Sequence, residues 1–489
     1  MGLTGKYGRP LFILVEMDSN RVLDFFKEIT RIPRESGHEE QMISYLENFA
    51  SSRGLECKKD SIGNILIVKE ASKGKEKKPS IVLQAHQDMV CEKTGDFEFD
   101  FSRDPVPFVV EDGWMVSHNT TLGADDGIGI AACLALLDSE LPMGKLECLF
   151  TISEETGMDG AFALEKGFFD GKTLVNLDSE DEGQLFVGCA GGVDTTARFQ
   201  IEREALRKGY KTLSIKIGGA IGGHSGDDIN KERANAVAQL LRFLYTQLQY
   251  DYQLLSLSGG NKPNAIAREA EAIIAVPQDE FQDMIDDAAA FAEVLKAEFA
   301  SSDPDVTVSA KSVKCSLKPF AEEDTVRIIT TLRGCPHGVE KMSCDIPGLV
   351  ETSTNLAALK MDGDTLTVVT SQRSSVVSEL HAMAQKVEAV LLLGGAEVEH
   401  HGEYPGWKPN MDSPILASCV ESYRRLFNME PEVKAIHAGL ECGLFLEKFP
   451  DLDMISFGPT LRGVHAPGEK LELASLDRFV ALLNDIVTK

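Results

Sequence analysis

The strongest constraint on the fold is a set of short, unbroken apolar runs: NILIV (64–68), SIVLQA (80–85), KLECLFTI (145–152) and TLVNLD (173–178). A strand that is apolar at every position is buried on both faces, and such strands belong to parallel sheets covered by helices on each side. The sequence between the runs supplies those helices. Val22, Phe25, Phe26 and Ile29, then Met42, Ile43, Leu46 and Phe49, recur at helical spacing, and 127–137 (GIGIAACLALL) reads as a small-residue helix. The expectation is an α/β fold with a mostly parallel sheet and helices on both faces. In such sheets functional groups gather beyond the carboxyl ends of the strands.

A chain of 489 residues holds two to four folded units at roughly 100–200 residues each. From about Gly188 the texture changes. TTARFQI and TLSIKI lead into a helix rich in Ala, Leu and Arg over 231–249, and a second strand and helix series runs from about Leu254 to Gly395. Two successive β-α-β blocks resemble a pair of ferredoxin-like halves. After about His401 the α/β texture returns, with helices over 414–427 and 475–487 around EVKAI and DMISF. The predicted architecture is a catalytic domain split between 17–188 and 401–489, with an inserted α+β lid domain over 189–400. The apolar run at 11–15 is too short for a secretion signal or a spanning helix. Met17 stands directly before the helix-opening Asp18-Ser19-Asn20 and reads as a second start, so residues 1–16 are assigned no function.

Composition narrows the partners. Lys+Arg number 49 against 77 Asp+Glu, a formal charge of -28, and a nucleic acid would be repelled by that field in the absence of a basic patch. The Lys-rich run from Lys73 to Lys78 lies between two strand-like segments and reads as a solvated turn. No membrane partner is expected. The ten cysteines are dispersed without a C-x-x-C pair, several inside apolar runs, which suits free thiols in a reducing cytoplasm.

Each expected strand end carries metal-type ligands. SIVLQA is followed by His86, Gln87 and Asp88; the small-residue helix is preceded by Asp125 and Asp126; LFTI is followed by Ser153, Glu154 and Glu155; TLVNL ends in Asp178. Taken singly, H-x-D is a surface pair, E-E a solvated helix end and D-D-G a turn or N-cap. Their joint arrival at strand ends points to one site. Imidazole and carboxylate together suit Zn, Mn or Co, and a bridging carboxylate lets two such ions share a water.

With IPRESGHEE, LQAHQDMV, GADDGIGIA, SEETGMDGA, NLDSED, GGHSGDDI, HAGLECG and GVHAPGE in order from about Asp18 to Lys489, the chain resembles the M20 metallopeptidases, and among them the bacterial aminoacyl-histidine dipeptidases. The resemblance implies that His86, Asp125 and Asp178 hold one metal, with Asp125 as the bridge, and that Glu155 and His465 complete a second. Asp88 would orient the His86 ring, and Glu154 would be the catalytic base. Asp126 is not a ligand in this family and leaves the set. In the lid, the resemblance makes His224 of GGAIGGHSGDD a hydrogen-bond donor to the carbonyl oxygen as it gains charge, with Arg373 and Asn264 contacting substrate, Arg373 as a fork on its α-carboxylate. His437 and Glu441 would lie near the substrate.

The implied function is metal-dependent hydrolysis of dipeptides, Xaa-His (carnosine-like) with broad specificity, using two divalent ions, zinc or else manganese or cobalt. An amidohydrolase or deacylase acting on another small N-acyl amino acid would use the same centre. A non-catalytic binding protein is disfavoured by the complete ligand set, and a nucleotide-binding reading of GGAIGG fails on its missing lysine. A homodimer through the lid stays open.

Overall fold

The computed structural model describes residues 17–489, and the expectations on residues 1–16 lie outside them. Two compact units are present, one comprising the described residues as far as Val187 with Asn410–Lys434 and Leu444–Lys489, the other Gly188–Pro409 with Ala435–Gly443.

The first unit is built on an eight-stranded sheet in the order Glu56–Lys59, Ile65–Lys69, Leu146–Thr151, Ile81–His86, Thr173–Asn176, Asp453–Ser456, Gln184–Cys189, Glu432–Ile436. The four central strands, Leu146–Thr151 to Asp453–Ser456, run parallel to one another. The sheet is not parallel throughout. Ile65–Lys69 pairs antiparallel on both sides; on the Glu56–Lys59 side Asp60 accepts the backbone N–H groups of Ile62, Gly63 and Asn64 and turns the chain straight back. Leu146–Thr151 is buried at every position, including Glu147, whose carboxylate accepts from the Ser80 hydroxyl and the N–H groups of Asp170 and Gly171.

Helix Ser19–Ile29 begins where Asp18 accepts the N–H of Arg21 at 3.0 Å, an N-cap. It packs on helix Ala124–Asp138, which in turn packs on strand Ile81–His86. The latter helix is buried on all its faces, which explains its small residues. At Gly127 a Cβ would come within 2.7 Å of the Arg34 guanidinium. Helices Pro414–Phe427 and Leu473–Thr488 pack together, the former on Asp453–Ser456. Among the described residues no helix is long and apolar enough to cross a membrane, and all ten cysteines are free thiols.

The second unit holds a separate antiparallel sheet in the order Thr307–Ser312, Tyr210–Gly218, Ala270–Pro277, Gln253–Gly259, Val350–Asp362, Thr365–Ser374, Gly191–Gln200, Glu397–Tyr404, with Gly338–Met342 paired onto Val350–Asp362. Residues 210–312 form a β-α-β-β-α-β run in the spatial order fourth, first, third, second. The flanking elements repeat that order and enclose the first run. The two blocks are therefore nested rather than successive, because Gly191–Gln200 pairs with Thr365–Ser374 across the intervening block. The helix expected over 231–249 starts at Ala236, where the Asn235 side chain caps it by accepting from Ala238. The chain also stays in this unit past 401, since His401 pairs with Asp194 in the outermost ladder.

Candidate metal centre

Parallel register sets the strand ends level. His86 pairs with Thr151, and Gln84 with Asn176. His86 is the last residue of its strand, Glu154 and Glu155 open the short helix Glu154–Gly157 beyond Thr151, and Asp178 lies two residues beyond Asn176. Asp125 sits at the start of helix Ala124–Asp138 with non-helical backbone angles, and its peptide bond to Asp126 is cis. His465 adopts a left-handed conformation, φ 61, which aims its ring back at this corner.

The side chains converge. His86 Nε2 lies 3.0 Å from Asp125 Oδ1 and 3.5 Å from Asp178 Oδ1. His465 Nε2 lies 3.1 Å from the other Asp125 oxygen and 2.9 Å from Glu155 Oε2. Asp125 thus turns one oxygen to each imidazole. On the far side of the His86 ring, Nδ1 lies 3.3 Å from Asp88 Oδ1, the contact expected to fix its tautomer. Asp88 also accepts from the Ser36 hydroxyl at 2.7 Å and from the N–H groups of Glu154 and Glu155. Asp126 points elsewhere and accepts the N–H of Gly129 at 3.1 Å, a helix-end contact.

Burial alone would raise the Asp88 carboxyl, but the His86 ring, Ser36 and the Glu154 N–H outweigh it and bring it down to about 2. Burial and the neighbouring Asp125 push Asp178 well above the ordinary carboxyl range. Asp125 and Glu155 lift His465 to about 11. Carboxylates crowd here faster than cationic groups compensate them, and Glu155 Oε1 is buried with no hydrogen-bond partner. A buried carboxylate oxygen left in that state is costly unless a cation takes it. His86, Asp125 and Glu155 each offer a ligand atom, all within 4.8 Å of one another. The donor set fits divalent metal ions.

The second unit gathers the other expected residues. His224 lies in the two-residue strand Gly223–His224 paired with Ala265–Ile266. Its Nδ1 accepts the N–H groups of Gly226 and Asp227, each at 3.3 Å. An imidazole whose Nδ1 accepts carries a proton on Nε2, which can donate outward. Asn264 is exposed, and its carbonyl accepts the Ser225 N–H at 2.9 Å. Arg373 is buried, with Nε donating to Ser225 Oγ at 3.4 Å and Nη1 to the Tyr404 hydroxyl at 2.9 Å. His437 Nε2 lies 2.7 Å from Ser353 Oγ. Burial, then Arg373, drives that ring down to about 3. Glu441 is buried at the start of helix Glu441–Lys448.

Sequence reasoning missed several contributors. Arg34, inside IPRESGHEE, donates to the carbonyls of Gln87 at 3.1 Å, Asp88 at 2.6 Å and Gly123. Glu469, inside GVHAPGE, accepts four backbone N–H groups from Leu122 to Asp125. Glu180, in NLDSED, is raised to about 7 by burial and by Asp125. Ser225 stands inside GGHSGDDI without having been singled out, and Tyr404 lies in none of the eight motifs.

The chain is similar to several known proteins. Peptidase family M20/M25/M40 matches the chain over residues 82–489. The cytosol non-specific dipeptidase of Escherichia coli (strain K12) is 38% identical over 476 residues, covering 97% of this chain and 98% of that protein. The crystal structure of the aminoacylhistidine dipeptidase from Vibrio alginolyticus superposes with a TM-score of 0.88 at 39% identity, covering 96% of each chain. An aminopeptidase from Bacillus cereus shares the fold at 15% identity and a TM-score of 0.56, covering 96% of this chain and 99% of that one.

Proposed function

The chain belongs to peptidase family M20/M25/M40, and from that premise we propose that it hydrolyses dipeptides with two divalent ions held by His86, Asp125, Glu155, Asp178 and His465. It is a metal-dependent peptide hydrolase. The observation that carries the two-ion reading is Asp125, with Oδ1 3.0 Å from His86 and Oδ2 3.1 Å from His465, as a bridge requires. His86 and Asp178 complete one ligand group, Glu155 and His465 the other. Nitrogen and carboxylate donors favour zinc, with manganese or cobalt as alternatives. The names of the two similar dipeptidases support a Xaa-His preference within a broad dipeptide range. The same names, the ten free thiols and the net charge of -28 support a cytoplasmic enzyme without a nucleic-acid or membrane partner. The repeated strand order of the second unit supports reading it as a lid of two ferredoxin-like halves, through which a homodimer can form.

When bound, the ions supply Lewis acidity that polarises the scissile carbonyl and acidifies the attacking water. Asp88 holds the His86 ring in the tautomer that ligates through Nε2. Glu154 removes the water's proton as the oxygen adds to the carbonyl carbon, and returns it to the amine nitrogen as the C–N bond breaks. His224 donates its Nε2–H to the carbonyl oxygen as that atom gains charge. Arg373, fixed by Ser225 and Tyr404, grips the free α-carboxylate. Asn264, His437 and Glu441 contribute to the substrate surroundings.

The test is a panel of unblocked dipeptides, N-acyl amino acids and tripeptides, assayed on metal-stripped protein after adding Zn²⁺, Mn²⁺ or Co²⁺. Turnover of dipeptides, Xaa-His among the best, is expected. A preference for N-acyl amino acids would replace this reading with a deacylase. Full activity in the stripped protein would remove the metal from the mechanism.

A further inference from the structure

Resting on the metal-centre reading, we propose that Glu469 is a positioning residue that holds the bridging Asp125 in place before an ion binds. Its Oε2 accepts the N–H of Leu122 at 2.7 Å and of Gly123 at 3.0 Å; its Oε1 accepts the N–H of Ala124 at 2.8 Å and of Asp125 at 3.3 Å. These donors lie ahead of the regular part of helix Ala124–Asp138, which begins beyond the non-helical Asp125 and Asp126, so no helical ladder supplies acceptors for them. Gly123, the residue before that helix, is left-handed at φ 68 and brings no capping side chain. A carboxylate accepts on every lone pair, so one group satisfies all four donors. An amide at 469 would turn its NH₂ toward two of them.

The same short segment reaches Asp125 twice. His465 meets the side chain at Oδ2, 3.1 Å away, and Glu469 meets the backbone. Positive φ at Gly463, His465 and Gly468 folds the segment tightly. It is anchored by Glu469 N–H on the Ala466 carbonyl at 3.2 Å and by Ser117 N–H on the Glu469 carbonyl at 3.1 Å. Arg34 joins the other side, bonding the Gly123 carbonyl together with those of Gln87 and Asp88. The loops that carry His86 and Asp125 are therefore locked to each other and to the His465 segment. Asp125 has little freedom left to lose on ion binding, and affinity for both ions gains from that.

Amide hydrogen exchange on the metal-stripped wild type is the first test. The N–H groups of residues 122–125 are expected to be protected without metal; exchange as fast as in an exposed loop, with protection only after Zn²⁺ is added, overturns the proposal. Glu469→Gln is the second, read by titration with Zn²⁺ and by the visible absorption of the Co²⁺-loaded protein. Both ions should bind roughly 10–100-fold more weakly, as loss of a group supporting a ligand typically costs, and the Co²⁺ spectrum should change, while His465→Ala weakens mainly one ion and leaves 122–125 protected. Wild-type affinity for both ions in Glu469→Gln, with an unchanged spectrum, overturns the positioning role and leaves the metal centre standing. Wild-type protein that takes up no divalent ion overturns both. If Glu469→Gln does not fold, the exchange measurement and the shorter Glu469→Asp decide; the latter keeps the charge and should weaken both ions less.

Discussion

The backbone N–H of Glu154 donates to Asp88 Oδ1 at 3.0 Å. The next N–H, of Glu155, reaches Oδ2 at 3.2 Å, and the His86 ring faces the same carboxylate. Asp88 is thus the joint between one proposed metal ligand and the turn that carries the proposed base. Asp88→Asn keeps the shape but turns an NH₂ toward one of these donors. It should lower kcat and metal affinity by about 10–100-fold each. Steady-state kinetics at saturating Zn²⁺, paired with a metal titration, checks both. A variant with wild-type values would leave Asp88 with a purely structural part.

The proposed function gives the neighbours Glu154 and Glu155 separable roles. Glu155 Oε2 lies 2.9 Å from His465 Nε2 while Oε1 is buried without a hydrogen-bond partner. Glu154→Gln should keep its full metal content and lose about 10² to 10⁴ in kcat, the usual cost of removing a proton-transfer group. Glu155→Gln should lose metal first. Elemental analysis of the two purified variants beside their kcat values distinguishes them, and the opposite pattern would exchange the assignments.

Stoichiometry tests the bridge. Asp125 faces both imidazoles, so Asp125→Asn should abolish uptake of both ions, whereas His465→Ala should leave one bound. Calorimetric titration of stripped protein with Zn²⁺ reads the number directly. Retention of one tight ion in Asp125→Asn would mean that the two ligand groups are independent.

What the sequence disclosed, and what it withheld, divides along physical lines. His86, Glu155 and Asp178 were legible because each ends an apolar strand or follows one by a few residues, and parallel register then brings those strand ends level; Asp125 was marked by the helix it precedes, and His465 only by the family resemblance. Glu469 was not, because its partners are backbone N–H groups more than 340 residues away, and a backbone donor leaves no mark on residue type. Arg34 was missed for the same reason, since all three of its acceptors are carbonyls. Nesting in the second unit was illegible because local pattern does not say which strands pair. His401 looked like the return to the first texture, yet its ladder with Asp194 keeps it in the second unit.

The buried His437 gives a pH signature. Burial, Arg373 and His224 drive its pKa down to about 3 while Asp227 opposes them, and an unfolded imidazole titrates near ~6.5. Between those values the unfolded chain binds one proton more than the folded one, so acid lowers stability. Below pH ~6.5 the loss from this group should approach ~1.4 kcal/mol per pH unit; above it the contribution vanishes. His437→Gln removes the titration, so its stability should fall less steeply between pH 6 and 4.5. Urea unfolding at several pH values compares the slopes. Parallel curves would mean that His437 is protonated in the fold.

The last prediction separates two roles in the second unit. Gly226 and Asp227 direct their N–H groups at His224 Nδ1, which leaves Nε2–H as a donor. Loss of such a donor to a carbonyl oxygen costs about 10² to 10³ in kcat. His224→Ala should show this on Xaa-His and on Xaa-His-amide alike, because the scissile carbonyl is the same in both, and its metal content should stay full. Arg373 differs, since a guanidinium held by Ser225 and Tyr404 recognises a carboxylate. Arg373→Ala should raise KM for Xaa-His and barely change it for the amide, which gives the fork nothing to grip. Tyr404→Phe, which removes one support of that guanidinium, should move KM in the same direction by less. Equal losses of Arg373→Ala on both substrates would place the carboxylate clamp elsewhere, and a preference for dipeptides over longer peptides would then need another source.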